Sequence, residues 1–395
     1  MRLTRRMFCS EASAAVLAAL FIRKAWGVRR SAAWQMVAET DRPRILRAAR
    51  EYLPLEVQTI TAFPSAKSPG GLHDFFSQAD YFWPDPKNPD GPYVNRDGQS
   101  NPENFTRHRE AMIDLSVRMP ALTAAWLLTD DLRYARRAGD YLRAWFVTPA
   151  TRMNPNLEFS QGVHGVSTGR SYGIIDTLHL VEVARAAGFL NSAALSDDNL
   201  RGVKAWFRKY LAWMKTSEKG RTERAALNNH ATCWALQASE FARLIGDEET
   251  RDEIRKWFVG TFLPDQLGTD GSFPQELART KPYSYSIFNF DVMAGLAQSL
   301  KDSGTDLTTF ALPDGRGLSK AAAFLYPYLK DKSKWPYKKD VEHFDALPVR
   351  SLGLLFAGLA SHREEYIALW KTLNPDPTDK EIIRNFPIRQ PLLWL

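Results

Sequence analysis

Leu127-Leu128-Thr129-Asp130-Asp131, running on to Leu142-Arg143-Ala144-Trp145-Phe146, decides the fold class. Ahead of it Met112, Leu115, Met119, Leu122 and Trp126 recur at the spacing of one helix face. The Asp pair breaks that helix, and a second one closes on Trp-Phe. The unit returns as Leu244-Ile245-Gly246-Asp247, continuing to Ile254-Arg255-Lys256-Trp257-Phe258. Similar hairpins can be drawn at roughly 172–215 and 318–373. Repeated antiparallel helix pairs point to an all-α chain built as a toroid or solenoid of hairpins. No strand-rich region and no Pro-rich or low-complexity linker divides the chain, so residues 28–395 read as a single domain.

Upstream the pattern changes. Residues 63–104 are rich in Gly, Pro, Asp and Asn and carry Tyr81-Phe82-Trp83-Pro84-Asp85-Pro86. A loop this long is functional or disordered, and its aromatic content argues against disorder. It is expected to pack over the end of the helical assembly. Asn101-Pro102-Glu103 reads as a helix start, with a capping Asn and a Pro in the first turn.

The chain of 395 residues is long enough to bury a substantial core. Its 12 Trp, 13 Tyr and 22 Phe suit a sugar-binding cleft, although core packing accounts for most of them. Thr4-Arg5-Arg6-Met7-Phe8, then the apolar run Ala12 to Ile22, then Ala25-Trp26-Gly27, has the form of a twin-arginine-like signal peptide over residues 1–27. The run is too short for a membrane span, so export to the periplasm or beyond is expected. The leader holds five basic residues against Glu11, a net +4, so the chain's +7 falls to +3 without it. That mild excess suits a polyanionic substrate and is no nucleic-acid signature. Cys9 leaves with the leader. Cys233 then has no disulfide partner and reads as a small buried helical residue.

Asn228-Asn229-His230 opens a segment in which Trp234, Ala238, Phe241, Ala242 and Ile245 share a helical face. This puts an Asn at the cap and His230 in the first turn, where free N–H groups favour an anion. Alone, the stretch reads more simply as a capped helix with a half-buried imidazole. A second cluster, Glu276-Leu277-Ala278-Arg279 through Tyr283 and Tyr285, lies at another helix start, after Pro282. In a ring of antiparallel hairpins alternate helix starts gather at one rim, so His230 and Tyr285 can face one cleft. A phenol is an unusual acid–base group, with an ordinary pKa of about 10. A nearby guanidinium such as Arg279 would favour the phenolate. An amide, an imidazole, a guanidinium and a phenol make a proton-transfer set that calls for no metal and no cofactor. No zinc helix, phosphate loop or dinucleotide fingerprint is present.

With Asp270-Gly271-Ser272, Glu276-Leu277-Ala278-Arg279-Thr280 and Tyr285-Ser286-Ile287-Phe288-Asn289, the Asn228-Asn229-His230 stretch resembles the alginate lyase family. The resemblance extends to Asp80-Tyr81-Phe82-Trp83-Pro84-Asp85-Pro86, Arg96-Asp97-Gly98, Asn154-Pro155-Asn156, Gly169-Arg170 and Ile174-Ile175-Asp176, covering residues from about 70 to 330. The His73-Asp74-Phe75-Phe76-Ser77 approach is closer to a branch that includes glucuronan-cleaving members. The resemblance implies an (α/α) toroid, of six or seven hairpins, that cleaves uronic-acid polymers by β-elimination. Asn229 would neutralise the C5 carboxylate, and His230 would assist or act as base for one epimer. Tyr285 would take the C5 proton, protonate the O4 leaving group, or do both. Arg279 would hold the carboxylate or tune Tyr285, although it lies one residue nearer to that Tyr than in the family pattern. Around them Arg170, Trp83, Tyr81, Asn228, Glu276, Tyr283, His164 and His73 are candidate substrate-binding residues.

Two rivals stand beside this expectation. One is a glycoside hydrolase on the same helical architecture, for which Asp74, Asp85, Asp270 and Glu276 are available carboxylates. The other is an oligouronate-binding protein without turnover. The leader itself is directly testable. Expression in an exporting host is expected to yield a chain beginning at Val28, read by intact mass, and a retained N-terminus would remove the export reading.

Overall fold

The computed structural model describes residues 31–301 and 304–395, and the leader expected over residues 1–27 lies outside them. The chain is mostly helical. Helices α1 (Ala32–Tyr52), α2 (Arg107–Thr129) and α3 (Leu132–Phe146) are followed by α4 (Leu180–Ala187), α5 (Asp197–Thr216) and α6 (Glu218–Arg224). Then come α7 (Asn229–Ile245), α8 (Glu248–Trp257), the short α9 (Leu263–Gln266) and α10 (Pro274–Leu277), and α11 (Pro282–Ser299). Helices α12 (Leu318–Lys330), α13 (Leu352–Ser361), α14 (Glu364–Thr372) and α15 (Lys380–Arg384) complete the order.

The two hairpins expected from the repeat are present. Asp130 adopts the left-handed conformation that ends α2, and Asp131 caps α3 through its side chain. Gly246 and Asp247 do the same between α7 and α8. The other two hairpins are less regular, because residues 171–177 are 3-10 helix and residues 331–351 are largely irregular. Helices α2, α4, α7, α11 and α13 pack in succession, each against the next, and the others lean on them from outside. The inner helices are therefore buried nearly all round. In α11 every residue but Asp291 is buried, which erases the amphipathic signature expected of a surface helix. Helix α2 is apolar and long enough to cross a membrane but is mostly buried, a core helix here.

Among the described residues four short strands flank this assembly. β1 (Phe76–Gln78) pairs in parallel with β4 (Phe159–Gly162), and β2 (Phe82–Trp83) pairs antiparallel with β3 (Val94–Asn95). They lie in or against the 63–104 stretch and give it a fixed shape. Asn101-Pro102-Glu103 does not start a helix. Asn101 accepts from the Glu103 amide and donates to the Phe82 carbonyl, which makes it a turn residue, and α2 begins only at Arg107.

Asp41 of α1 links the first helix to the last hairpins. Its carboxylate, 1% exposed, accepts from Arg44 at 2.9 Å and from Arg350, just ahead of α13, at 2.6 Å. Removing one member of a buried ion network strands the others. Asp41→Ala is expected to cost roughly 3–5 kcal/mol in denaturant unfolding; a loss near zero would mean that this network does not tie the two ends.

Candidate active site

Two helix starts, the strand-bearing loop and the C-terminal segment enclose a cavity of about 290 Å³. Asn228, Asn229 and His230 line it from the start of α7, and Arg279 and Tyr285 from the approach to and first turn of α11. Tyr81, Arg170 and Arg384 face it from the other elements.

The α7 start is built as its sequence predicts, and the cap also lines the cavity. Asn228 is the cap, its side-chain oxygen accepting from the His230 amide at 3.3 Å. Asn229 follows, 3% exposed, and is held by Glu276. One Glu276 oxygen accepts from the Asn229 backbone N–H at 2.8 Å, the other from its side-chain Nδ2 at 2.7 Å. Asn289 Nδ2 adds a third contact at 3.4 Å. Glu276 is fully buried, so it orients Asn229 from behind and does not line the cavity, a correction to its expected place as a substrate-binding residue. Burial pushes its carboxyl up, and the Asn229 hydrogen bonds offset part of that.

Tyr285 sits one turn into α11, whose first free amides are capped from a distance. Asp340 accepts from the N–H groups of Tyr283 and Ser284, both at 2.8 Å. The Tyr285 hydroxyl bonds the Tyr81 hydroxyl at 2.8 Å, and the Arg279 guanidinium lies 4.8 Å from the Tyr285 ring centre. Arg279 does not make the phenolate the resting form. Burial pushes Tyr285 up to about 12, and the pulls of Tyr81 and Arg279 do not overcome it. The reason is visible in Arg279 itself, which is paired with Asp97 at 2.9 Å and so offers the phenol a neutralised field. In the substrate-free site Tyr285 is a phenol, ready to give a proton.

Arg170 is the cation left over. Its Nε donates to the Gln161 carbonyl and its Nη2 to the Gln161 side-chain oxygen, both at 3.1 Å. Gln161 is fixed in turn by Asp176, and Arg170 stacks over Phe82 and Tyr172. Among the described residues Arg170 makes no ion pair, and burial lowers its pKa. Arg384, by contrast, is paired with Asp80 at 3.0 Å and with Glu381. His230 Nδ1 meets Glu223 Oε1 at 2.5 Å, and Tyr172 packs edge-on against the ring.

Four further expected binding residues lie outside this cavity. Trp83 follows Phe82 on β2, and strand alternation turns it away, its indole N–H donating to the Gln99 carbonyl. Tyr283 is two positions from Tyr285 and on another helix face, where its hydroxyl donates to the Tyr328 carbonyl. His73 bonds the Arg152 carbonyl at 2.7 Å, and His164 packs against Tyr93 beside a separate surface depression. Cys233 is 1% exposed with its thiol pushed up by burial. Sequence reasoning missed Gln161, Tyr172, Arg384 and Asn385 in the lining and Glu223 behind His230. Of these only Tyr172 had a signal, its place beside Arg170.

Residues 59–335 match the family described as Alginate lyase. The chain belongs to the alginate lyase family. It is similar to the crystal structure of an alginate lyase from Bacteroides ovatus, at 29% identity and a TM-score of 0.77, over 92% of this chain and 97% of that one. It also shares its fold with a tetrasaccharide complex of alginate lyase A1-III, an enzyme from a Sphingomonas species, at 14% identity and a TM-score of 0.52, over 89% and 94% of the two chains. No curated protein matches. The protein is thus a polysaccharide lyase. None of the carboxylates available to the hydrolase alternative, Asp74, Asp85, Asp270 and Glu276, lines the cavity, and the two that do, Asp80 and Asp97, are held below the usual range, burial being outweighed by Arg109 and Arg279 respectively. Among the described residues no three His, Cys, Asp or Glu side chains converge as a metal site.

The Tyr285 environment has a spectroscopic consequence. A raised pKa keeps the phenol neutral past the ordinary tyrosine value, so the phenolate absorbance lost in Tyr285→Phe is expected only as pH climbs towards about 12. A difference signal at neutral pH would mean that Arg279 wins after all.

Proposed function

We propose that this lyase cleaves a 1,4-linked uronic-acid polymer, alginate or glucuronan, by β-elimination, leaving a 4,5-unsaturated sugar. The observation that carries the reading is the meeting of Asn229, His230 and Tyr285 in one cavity beside Arg170, which makes no ion pair among the described residues. Removing the C5 proton builds a dianionic enolate on the neighbouring carboxylate, so neutralising that carboxylate is the largest electrostatic help available. Asn229, its amide oriented by Glu276, donates to the carboxylate with its remaining N–H. His230 supplies the second contact, and Arg170 attracts the uronate into the cavity. At an effective dielectric of about 20 a guanidinium 4 Å from a carboxylate gains ~4 kcal/mol, against ~1 in water.

Tyr285 stands at the proton-transfer position. Tyr285 takes up the C5 proton as its own phenolic proton passes to O4, so that the C4–O4 bond breaks, the C4–C5 double bond forms and the phenol is restored. Tyr81 steadies the Tyr285 oxygen through the bond between the two hydroxyls. Arg279, pinned by Asp97, orients the Tyr285 ring. On this reading the helical row would be part of an (α/α) toroid with the strand-bearing loop over its open end. The Arg5-Arg6 leader would direct export, which brings the enzyme to a polymer found outside the cell.

Ultraviolet absorbance of the unsaturated product tests this. Purified protein is expected to raise it on mannuronate-rich alginate, guluronate-rich alginate or glucuronan. Tyr285→Phe is expected to lower turnover by about 10²–10⁴-fold, and His230→Ala by about 10²–10³-fold, with unchanged thermal melting. Near-normal activity in Tyr285→Phe would remove Tyr285 as the proton carrier, and tight oligouronate binding without absorbance would favour the non-catalytic reading.

A further inference from the structure

Behind His230 lies a carboxylate that the proposed reaction has not used. Glu223, on α6, is 1% exposed and its Oε1 meets His230 Nδ1 at 2.5 Å. Its other oxygen is buried without a hydrogen-bond partner. Among the described residues no Lys or Arg pairs with it. The adjacent Arg224 turns away, over the Trp257 ring and towards Glu253. A carboxylate buried with an imidazole as its one side-chain partner costs the fold several kcal/mol unless that partner returns the energy. The contact is as short as a charge-assisted hydrogen bond, in which an ionised oxygen accepts from N–H.

We propose that Glu223 is a positioning residue for His230. Resting on the lyase reading, it keeps Nδ1 protonated, fixes the ring plane and offsets positive charge on the imidazole. Nε2 is then always the nitrogen offered to the bound uronate. The logic is that of a carboxylate–histidine pair, where the nitrogen bonded to the acid sets the tautomer of the other. The geometry supports orientation from two directions, since Tyr172 holds the ring edge-on at 5.0 Å between centroids while Glu223 holds Nδ1. The α6 helix that carries Glu223 packs against both α7 and the 3-10 segment at Ser171–Thr177, so the elements that bear His230 and Tyr172 meet at the helix that bears Glu223.

Glu223→Gln keeps the shape and an acceptor for Nδ1–H but removes the charge, whereas Glu223→Ala removes both. On whichever uronate polymer the wild type cleaves, Glu223→Gln is expected to melt like the wild type and to lose roughly 10–100-fold in kcat, with KM changed by no more than about twofold. Glu223→Ala is expected to lose more. Nitrogen-15 NMR of the His230 ring is expected to show a proton on Nδ1 in the wild type and in Glu223→Gln, and loss of that preference in Glu223→Ala. A folded Glu223→Gln with wild-type kcat would overturn the proposal, as would ring signals unchanged in Glu223→Ala. If Glu223→Ala does not fold, Glu223→Gln decides alone. If the wild type cleaves no uronate polymer, the lyase chemistry fails, and the NMR comparison still decides whether Glu223 sets the tautomer.

Discussion

The site hangs on one buried carboxylate, Glu276. It makes no ion pair among the described residues, and it stays in place because amides surround it. Asn229 gives it two N–H groups and Asn289 a third. The network continues through Gln266, which accepts from Asn289 and from Thr232 and donates to the Asn228 carbonyl. Helices α7, α9, α10 and α11 are thereby locked at one point, the point where the cavity begins. A polar cluster of this kind is stabilising in so far as its members are satisfied, and both Glu276 oxygens are, while the buried Asn289 Oδ1 has no partner. The gain for chemistry is that the Asn229 amide cannot rotate. Its Nδ2 is committed to Glu276 by one hydrogen, and the other is aimed before substrate arrives, which is the condition for electrostatic help without reorganisation.

Charge around the cavity follows a consistent division. Arg279 and Arg384 are each matched by an aspartate, so they shape the walls more than they attract an anion. Arg170 is held by a carbonyl and a neutral amide instead, and keeps its full charge for a ligand. The difference comes from Gln161, which occupies the position a carboxylate would take and passes Arg170's anchoring on to Asp176. A Glu there would neutralise an arginine that, among the described residues, has no ion-pair partner and is free to draw in a uronate. Net charge, mildly positive for the whole chain, says little about this. The arrangement of partners says nearly all of it.

How much of this was legible beforehand depends on distance along the chain. The α2–α3 and α7–α8 hairpins were legible because their turns carry left-handed and capping residues in sequence order. Asn228 as a cap was legible for the same reason. Pairing between helix starts was reached only by assuming that antiparallel hairpins bring alternate ends together. Errors fell where a residue's role is set by a partner far away. Glu276 looked like a ligand-facing acid because nothing nearby shows that Asn229, 47 positions upstream, takes its oxygens. Trp83 and Tyr283 were misplaced by one strand step and two helix steps, each enough to turn a side chain to another face. Asn101 was misread because its partner, the Phe82 carbonyl, belongs to a strand too short to announce itself.

The C-terminal segment shows the same dependence on a larger scale. Arg384 and Asn385 line the cavity, yet they lie beyond residues 59–335, the span that marks the family. Arg384 reaches Asp80, Asp80 reaches Arg109 on α2, and Arg109 reaches Asp176 beneath Gln161. Tyr81, which bonds Tyr285, is the neighbour of Asp80, so the tail and the proton-carrying phenol are tied to the same loop residues. The tail is itself clamped, because Glu182 on α4 accepts from the backbone N–H groups of Arg389 and Gln390. Its last residues, around Trp394, pack against α1, α2 and α4. The loop above the cavity is thus held from two sides, by α2 through Arg109 and by the C-terminal segment through Arg384, and a tail displaced from Glu182 would take away one of the two guanidinium partners of Asp80.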